Sequence, residues 1–370
     1  MVRKTLVLTG GGILGVTYAG AFRAMEERGV QLRDFDIVYG TSVGSLIGLL
    51  VVIGMSHTSI HQLLTTIPVS AIFQITTEGI LRMVDTGGVD SGRRLRGLIR
   101  SILRRVVGKE SLTFNELSSR FTTKFVVNAL DILTGKHVIF GSNETPDINV
   151  EDAICASSAI PGLYWPVKIK DMVLVDGGVW NPLPIELIPI EDIPTTIALA
   201  PVSQYEPSPK PDLMFVMRSS FNILTLRGIT RCLKDDRYKQ NIIRLSTPTS
   251  SMGMLSPDAD LRSFRETLDF IGYTEVSRSD VISRFLKALE PVPTTETVNT
   301  DTSRPDSLDQ PKKVTSLQSA DSSSGSELLG MTELQPSDTM TGSSHSLPPP
   351  IDTREQGGPS VTPLTYQPMV

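Results

Sequence analysis

Apolar residues in this chain come in short unbroken runs that halt at or beside glycine. Thr5-Leu6-Val7-Leu8-Thr9 is the first, and it runs straight into Gly10-Gly11-Gly12-Ile13-Leu14-Gly15. A run of that length closed by glycine predicts a buried strand over 4–9. Val16, Ala19, Phe22, Ala24 and Met25 then recur on one helical face until Gly29, and Ile37-Val38-Tyr39 restores a strand pattern over 36–39. After Gly40-Thr41-Ser42-Val43-Gly44 the chain is apolar on every side as far as Met55, which predicts a buried helix too short to cross a bilayer. Strand, helix and strand of this length form a right-handed crossover with parallel strands. The glycine loop and Ser42 therefore leave the sheet at the same edge, where open α/β folds place their sites.

Further strands are predicted over 172–175, ending in Asp176-Gly177-Gly178, and over 195–200; a loop is expected over 207–211 and a helix over 219–239. Ser279-Asp280 opens a last helix carrying Val281, Ile282, Phe285, Leu286 and Leu289. Between 91 and 109, Leu95, Leu98, Ile99, Ile102, Leu103 and Val106 form a helical stripe flanked by six arginines. The plain reading is a surface helix with solvated charges. The functional reading is docking on anionic lipid through Arg96, Arg100 and Arg104.

From 291 the pattern is lost among serine, threonine and proline, with too few large apolar residues to offset the entropy of ordering. This divides the chain into a catalytic domain over 1–290 and a disordered tail over 291–370. A chain of 370 residues, 39% hydrophobic, can bury a large core, and its net charge of −5 gives no reason to expect a nucleic acid partner. Cys155 and Cys232 have no metal-ligand spacing and read as small buried residues of a reducing compartment. Met1-Val2-Arg3-Lys4 leads into a strand where a signal peptide would need an apolar segment. The expected location is cytoplasmic, peripheral on membranes, with no transmembrane segment.

A G-x-S-x-G sequence between a strand and a helix is the pattern of a nucleophile elbow, in which Gly40 and Gly44 permit a turn that lifts the Ser42 hydroxyl above the sheet. The structural alternative is a glycine turn capped by Thr41 or Ser42. Around such a serine, the amides of Gly10, Gly11 and Gly12, with that of Val43, are candidate oxyanion donors. Gly10, Gly12 and Gly15 also satisfy a dinucleotide-binding pattern, but that motif wants an acid at the end of the second strand, and Asp34 and Asp36 come too early. The usual order of a triad is serine, acid, histidine. His57, His61 and His137 precede any suitable acid and His345 lies in the tail, so the candidate base is Asp176 itself, backed by Gly177 and Gly178. A turn aspartate bonded to its own backbone is the alternative. Trp165 and Trp180, on either side of that strand, read as packing residues.

These blocks in this order, with Ala156-Ser157-Ser158-Ala159-Ile160-Pro161-Gly162 between them, resemble the patatin-like phospholipase family. The resemblance implies a three-layer α/β/α fold with a mostly parallel central sheet. It further implies Ser42 as nucleophile, Asp176 as its base and the Gly10, Gly11 and Gly12 amides as the oxyanion hole. The substrate would be a phospholipid or acylglycerol at a membrane or micelle surface, cleaved without a metal or other cofactor. Thr9 and Leu14 stand where family members often carry Asp and a cation, which implies retained activity with an altered substrate preference. Transacylation on the same fold and a silent lipid-binding scaffold are the alternatives; some members also need an activating protein partner, of unknown identity here.

Overall fold

The computed structural model describes residues 3–203, 213–247 and 261–290. The expected tail over 291–370 and the loop over 207–211 lie outside them. The described residues fall in one compact unit, Met1–Glu296.

Among the described residues ten strands form: β1 (Thr5–Leu8), β2 (Ile37–Gly40), β3 (Gly88–Asp90), β4 (Lys124–Asp131), β5 (Lys136–Phe140), β6 (Gly162–Tyr164), β7 (Val167–Ile169), β8 (Met172–Asp176), β9 (Thr196–Ser203) and β10 (Ile242–Thr247). Eight of them make one sheet in the order β10-β9-β1-β2-β4-β8-β7, with β5 also on β4, while β3 and β6 pair separately. The run from β10 to β4 is parallel throughout, including the predicted β1–β2 crossover pair. The rest is antiparallel, so the sheet as a whole is mixed. Short turns are the reason: residues 132–135 join β4 to β5 and Lys170-Asp171 joins β7 to β8, and such links can only reverse a strand.

The helices are α1 (Thr17–Glu27), α2 (Val43–Val52), α3 (His57–Thr66), α4 (Thr77–Thr86), α5 (Arg93–Val107), α6 (Phe114–Arg120), α7 (Val150–Ser157), α8 (Leu213–Lys234), α9 (Leu261–Arg278) and α10 (Val281–Ala288). Alternation along β1 builds two cores. Leu6 and Leu8 pack with α1, α2, α5 and α10 on one face. Val7 faces the other way, against Leu183, Ile185 and the α8 residues Ile229 and Cys232. Helical layers therefore cover both faces of the sheet.

Helix α9 has no counterpart among the elements read from the sequence, and it lies hard against α1. Gly272 allows this: a Cβ there would stand 1.8 Å from the Thr17 carbonyl oxygen. Gly272→Ala is expected to push the two helices apart and cost about 1–3 kcal/mol, read as a lowered midpoint in denaturant unfolding.

On α5 the apolar stripe is packed, with Leu95, Ile99, Ile102 and Leu103 buried. Each arginine expected at a lipid surface meets a carboxylate instead: Arg96 pairs with Asp152, Arg100 with Glu151 and Arg104 with Glu110. Their charges are answered within the chain. Trp180 is 59% exposed rather than packed. Both cysteines are buried.

Candidate active site

Ser42 sits between the last residue of β2 and the first of α2 with φ 53° and ψ −127°, a left-handed conformation rare for a residue with a side chain. Backbone held there stores about 1–3 kcal/mol and persists only where its surroundings impose it. The surroundings are tight. A Cβ on Gly44 would lie 2.3 Å from the Leu8 carbonyl oxygen, and one on Gly40 would lie 2.5 Å from Ser45 Cα. Ser42 N–H donates to Ser157 Oγ at 2.9 Å, and Ser45 Oγ donates to the Ser42 carbonyl at 2.6 Å. The Ser42 side chain makes no capping hydrogen bond to α2, and Thr41 Oγ1 is turned to Asn128 instead, so the capped-turn alternative fails.

Asp176 reaches this point by a route the sequence does not disclose. Val127 of β4 faces Gly40 on one edge and Phe140 on the other, while Ala129 faces Asp176 and Val138. Since β5 occupies one edge along that whole stretch, β8 must continue the lane of β2 from the opposite direction. The two strands meet end to end, and their last residues, Gly40 and Asp176, are separated by the width of one β4 residue. Asp176 is wholly buried. Its Oδ1 accepts from Gly178 N–H at 2.7 Å, the bond expected of a turn aspartate, and its own N–H donates to the Ala159 carbonyl at 2.9 Å. Oδ2 completes no hydrogen bond. Burial pushes the carboxyl up to about 7, against opposing help from the Ser42 hydroxyl and the Gly178 N–H. The Ser42 hydroxyl is thus the side-chain group that most favours the carboxylate. We take the two groups as facing neighbours.

A buried asparagine ties the two loops together. Thr41 Oγ1 donates to Asn128 Oδ1 at 2.6 Å, and Asn128 Nδ2 donates to the Asn181 carbonyl at 2.9 Å and lies 3.1 Å from His137 Nε2. Burial lowers the pKa of His137, which keeps its ring neutral and able to accept. Thr9 Oγ1 donates to the Pro182 carbonyl at 2.6 Å, fastening the glycine loop to the same turn. Asn128 and Ser157 were not singled out from the sequence. A lone amide inside Phe125-Val126-Val127-Asn128-Ala129-Leu130 was the available signal, since a buried polar group must have a partner. Asn128→Ala is expected to leave the Thr41 hydroxyl and the Asn181 carbonyl with only their long 3.5 Å contact to each other and to cost about 1–3 kcal/mol, measurable as a fall in unfolding midpoint.

The glycine loop crosses in front of the serine. A Cβ on Gly10 would come 2.9 Å from Ser42 Cβ, and Gly12 adopts φ 56° where the chain enters the tight turn Gly12–Val16 ahead of α1. Among the described residues nothing accepts from the N–H groups of Gly10, Gly11, Gly12 or Val43. Gly15 packs on Val43, and Gly177 packs on Asn128. Two cavities open on either side. One is lined by Val43, Leu46, Leu50, Leu64, Ile72, Phe73 and Leu163. The other is lined by Gly10, Gly11, Asp176, Gly178, Asn222 and Thr225. Ser42 and Gly12 belong to the walls of both. Among the described residues no group of three His, Cys, Asp or Glu side chains is placed to hold a metal ion, and no helix is long and apolar enough to cross a membrane.

The arrangement is that of an α/β protein with a strained serine elbow beside a glycine-rich loop. Residues 6–188 match the family model of the patatin-like phospholipases, and that segment of the chain belongs to this family. A probable lipid hydrolase, 463L, of Invertebrate iridescent virus 6 is 28% identical over 190 residues, 50% of this chain and 62% of the relative. An NTE family protein of Mycobacterium tuberculosis is 28% identical over 198 residues, 54% of this chain and 49% of its own length. The chain thus spans about half to three-fifths of these relatives. Among solved structures, VipD from Legionella pneumophila shares the fold with a TM-score of 0.50 and 16% identity, covering 76% of this chain and 67% of that one.

Proposed function

We propose that the chain is a lipid acyl hydrolase, a phospholipase A-type esterase that works through an acyl-enzyme on Ser42. The observation that carries this reading is Ser42 itself: held in a strained elbow, facing a buried carboxylate and standing in the wall shared by an apolar cleft and a more polar cavity. An acyl chain suits the first, and the alcohol portion of the ester suits the second.

Asp176, as the carboxylate, accepts the hydroxyl proton while Ser42 Oγ attacks the acyl carbonyl. Negative charge moves to the carbonyl oxygen, where the free N–H groups of Gly11, Gly12 and Val43 offer donors without reorganising; one such donor is worth about 3–4 kcal/mol in comparable hydrolases. Asp176 returns the proton to the departing alcohol as the tetrahedral species collapses. Water then repeats the sequence in reverse, with Asp176 again taking a proton and Ser42 leaving. An alcohol in place of water would make the same site a transacylase. A carboxyl that titrates near neutrality is suited to both halves, since it gains and loses the proton with little cost in driving force.

The test is a fluorophosphonate ester probe applied to the whole chain in the presence of phospholipid vesicles, with the modified residue located by mass spectrometry. Label on Ser42 that disappears in Ser42→Ala and Asp176→Ala supports the dyad. Folded protein that takes no label would overturn it in favour of a lipid-binding scaffold.

A further inference from the structure

Helix α4 buries none of its residues. Ile80, Leu81 and Val84 share one side of it, with Leu81 76% and Val84 93% exposed, and Ile75 just ahead of the helix is exposed too. Single exposed apolar residues are ordinary, but a contiguous group marks an interaction surface. The helix is nonetheless firmly seated. Gly79 N–H donates to the Thr76 hydroxyl at 3.0 Å, and a Cβ on Gly79 would lie 2.0 Å from the Val89 carbonyl oxygen of β3.

Its position ties it to the apolar cleft. Strand β3 pairs with β6, whose Leu163 and Tyr164 line that cleft together with Phe73. Phe73 meets Tyr164 edge-on at 5.3 Å between ring centres. Helix α4 is therefore the outer side of a rim whose inner side faces the space leading to Ser42. At the far end of the helix, Gly162 N–H donates to the Gly87 carbonyl at 3.1 Å, and Met217 of α8 closes on Gly162. This brings the start of α8 alongside, where Leu213 and Val216 are exposed as well.

Charge beside the apolar face has the sign that suits phosphate. Arg82 of α4 and Arg93 and Arg94 at the start of α5 line one recess. Two carboxylates share it. Asp90 is occupied by the N–H groups of Gln74 and Gly92 at 2.6 and 2.7 Å, and Glu78 stands 3.5 Å from Arg82. Arg94 donates to the Ser70 carbonyl, and among the described residues Arg93 has no ion-pair partner. The N-terminal end of the 15-residue α5 adds its own positive potential there.

We infer that α4 and Ile75, flanked by Leu213 and Val216, form the face that docks on an anionic lipid surface, with Arg82, Arg93 and Arg94 meeting lipid phosphates. The inference rests on the lipid hydrolase reading for its occupant: the face borders the cleft that would receive the acyl chain, and the recess beside it sets three arginines against two carboxylates, with Asp85 the remaining acid of α4. It moves the docking element from the paired arginines of α5 to the unpaired apolar side of α4.

Co-sedimentation of the full chain with vesicles of phosphatidylcholine and phosphatidylglycerol tests this. Leu81→Glu combined with Val84→Glu is expected to weaken vesicle binding at least about tenfold, with hydrolysis of vesicle lipid falling in step. Hydrolysis of a water-soluble short-chain ester and labelling of Ser42 should be unchanged. Charge reversal at Arg93 and Arg94 should cost about fivefold per arginine on the anionic vesicles and nothing on phosphatidylcholine alone. Undiminished vesicle binding by the Leu81 and Val84 variant overturns the proposal. So does light scattering that shows a wild-type dimer made monomeric by Leu81→Glu, because a second copy would then cover this face. Binding is read without catalysis, so vesicle binding that depends on Leu81 and Val84 supports the docking face even when Ser42 takes no label.

Discussion

Ser42→Gly is expected to abolish ester hydrolysis and, in the same protein, to raise the melting temperature. In the proposed mechanism the loss of activity follows from removing the hydroxyl oxygen that forms the acyl-enzyme; the expected fall in kcat/KM is about 10⁴-fold or more, with a residue of activity from the remaining donors and binding. The gain in stability has a separate source. Ser42 holds φ 53° and ψ −127°, which glycine adopts without the clash that a Cβ suffers. Relief of that strain is worth about 1–3 kcal/mol, reduced by glycine's larger entropy loss on folding. Ser42→Ala is the control: it keeps the Cβ and the strain, so it should lose activity without the gain. Equal melting temperatures for the two variants would show that the elbow is not held under strain.

The second large effect concerns pH. In the proposed mechanism Asp176 must be ionised to act as base, and its carboxyl is pushed up to about 7 by burial. The expected profile of kcat/KM therefore rises about tenfold per pH unit below pH 7 and levels off above it. Asp176→Asn should lose the activity and the rising limb with it. Stability runs the other way. Between the ordinary value of 3.8 and about 7 the folded state holds a proton that the unfolded state has released, so stability declines as pH rises through this window and is level beyond it. The decline from this one group is of the order of 4 kcal/mol. Asp176→Asn removes the titration, so the variant should gain on wild type from pH 4 to pH 8 in parallel denaturant titrations. A variant whose stability difference from wild type is the same at both pH values would show that the carboxyl is not titrating in that window.

Local chemistry made much of this legible from the residues alone. The β1–β2 crossover needs only two apolar runs, a helical stripe and glycine at the joints, all within 3–52, and it is where the pattern puts it. The tight backbone at Gly40 and Gly44 announces itself because no side chain fits there, and Gly12 adds a positive φ that favours glycine. The stripe on α5 was also plain, but which charges surround it was not. Asp152, Glu151 and Glu110 reach Arg96, Arg100 and Arg104 from other segments, and nothing in the spacing of the arginines reports on that.

The sequence by itself determined the parallel core, the cramped serine turn and the glycine loop before it, because each is enforced by sterics and burial within a few consecutive residues. Tertiary structure alone decided how Asp176 comes to face Ser42. An apolar strand ending in an aspartate reads the same whichever way it runs, and only the pairing of β4 with β5 on one edge and with β2 and then β8 on the other sets the two ends nose to nose. The tie through Asn128, the cleft beside the serine and the bare face of α4 belong to the same class. Each depends on residues far apart in the chain that meet only once the sheet has closed around them.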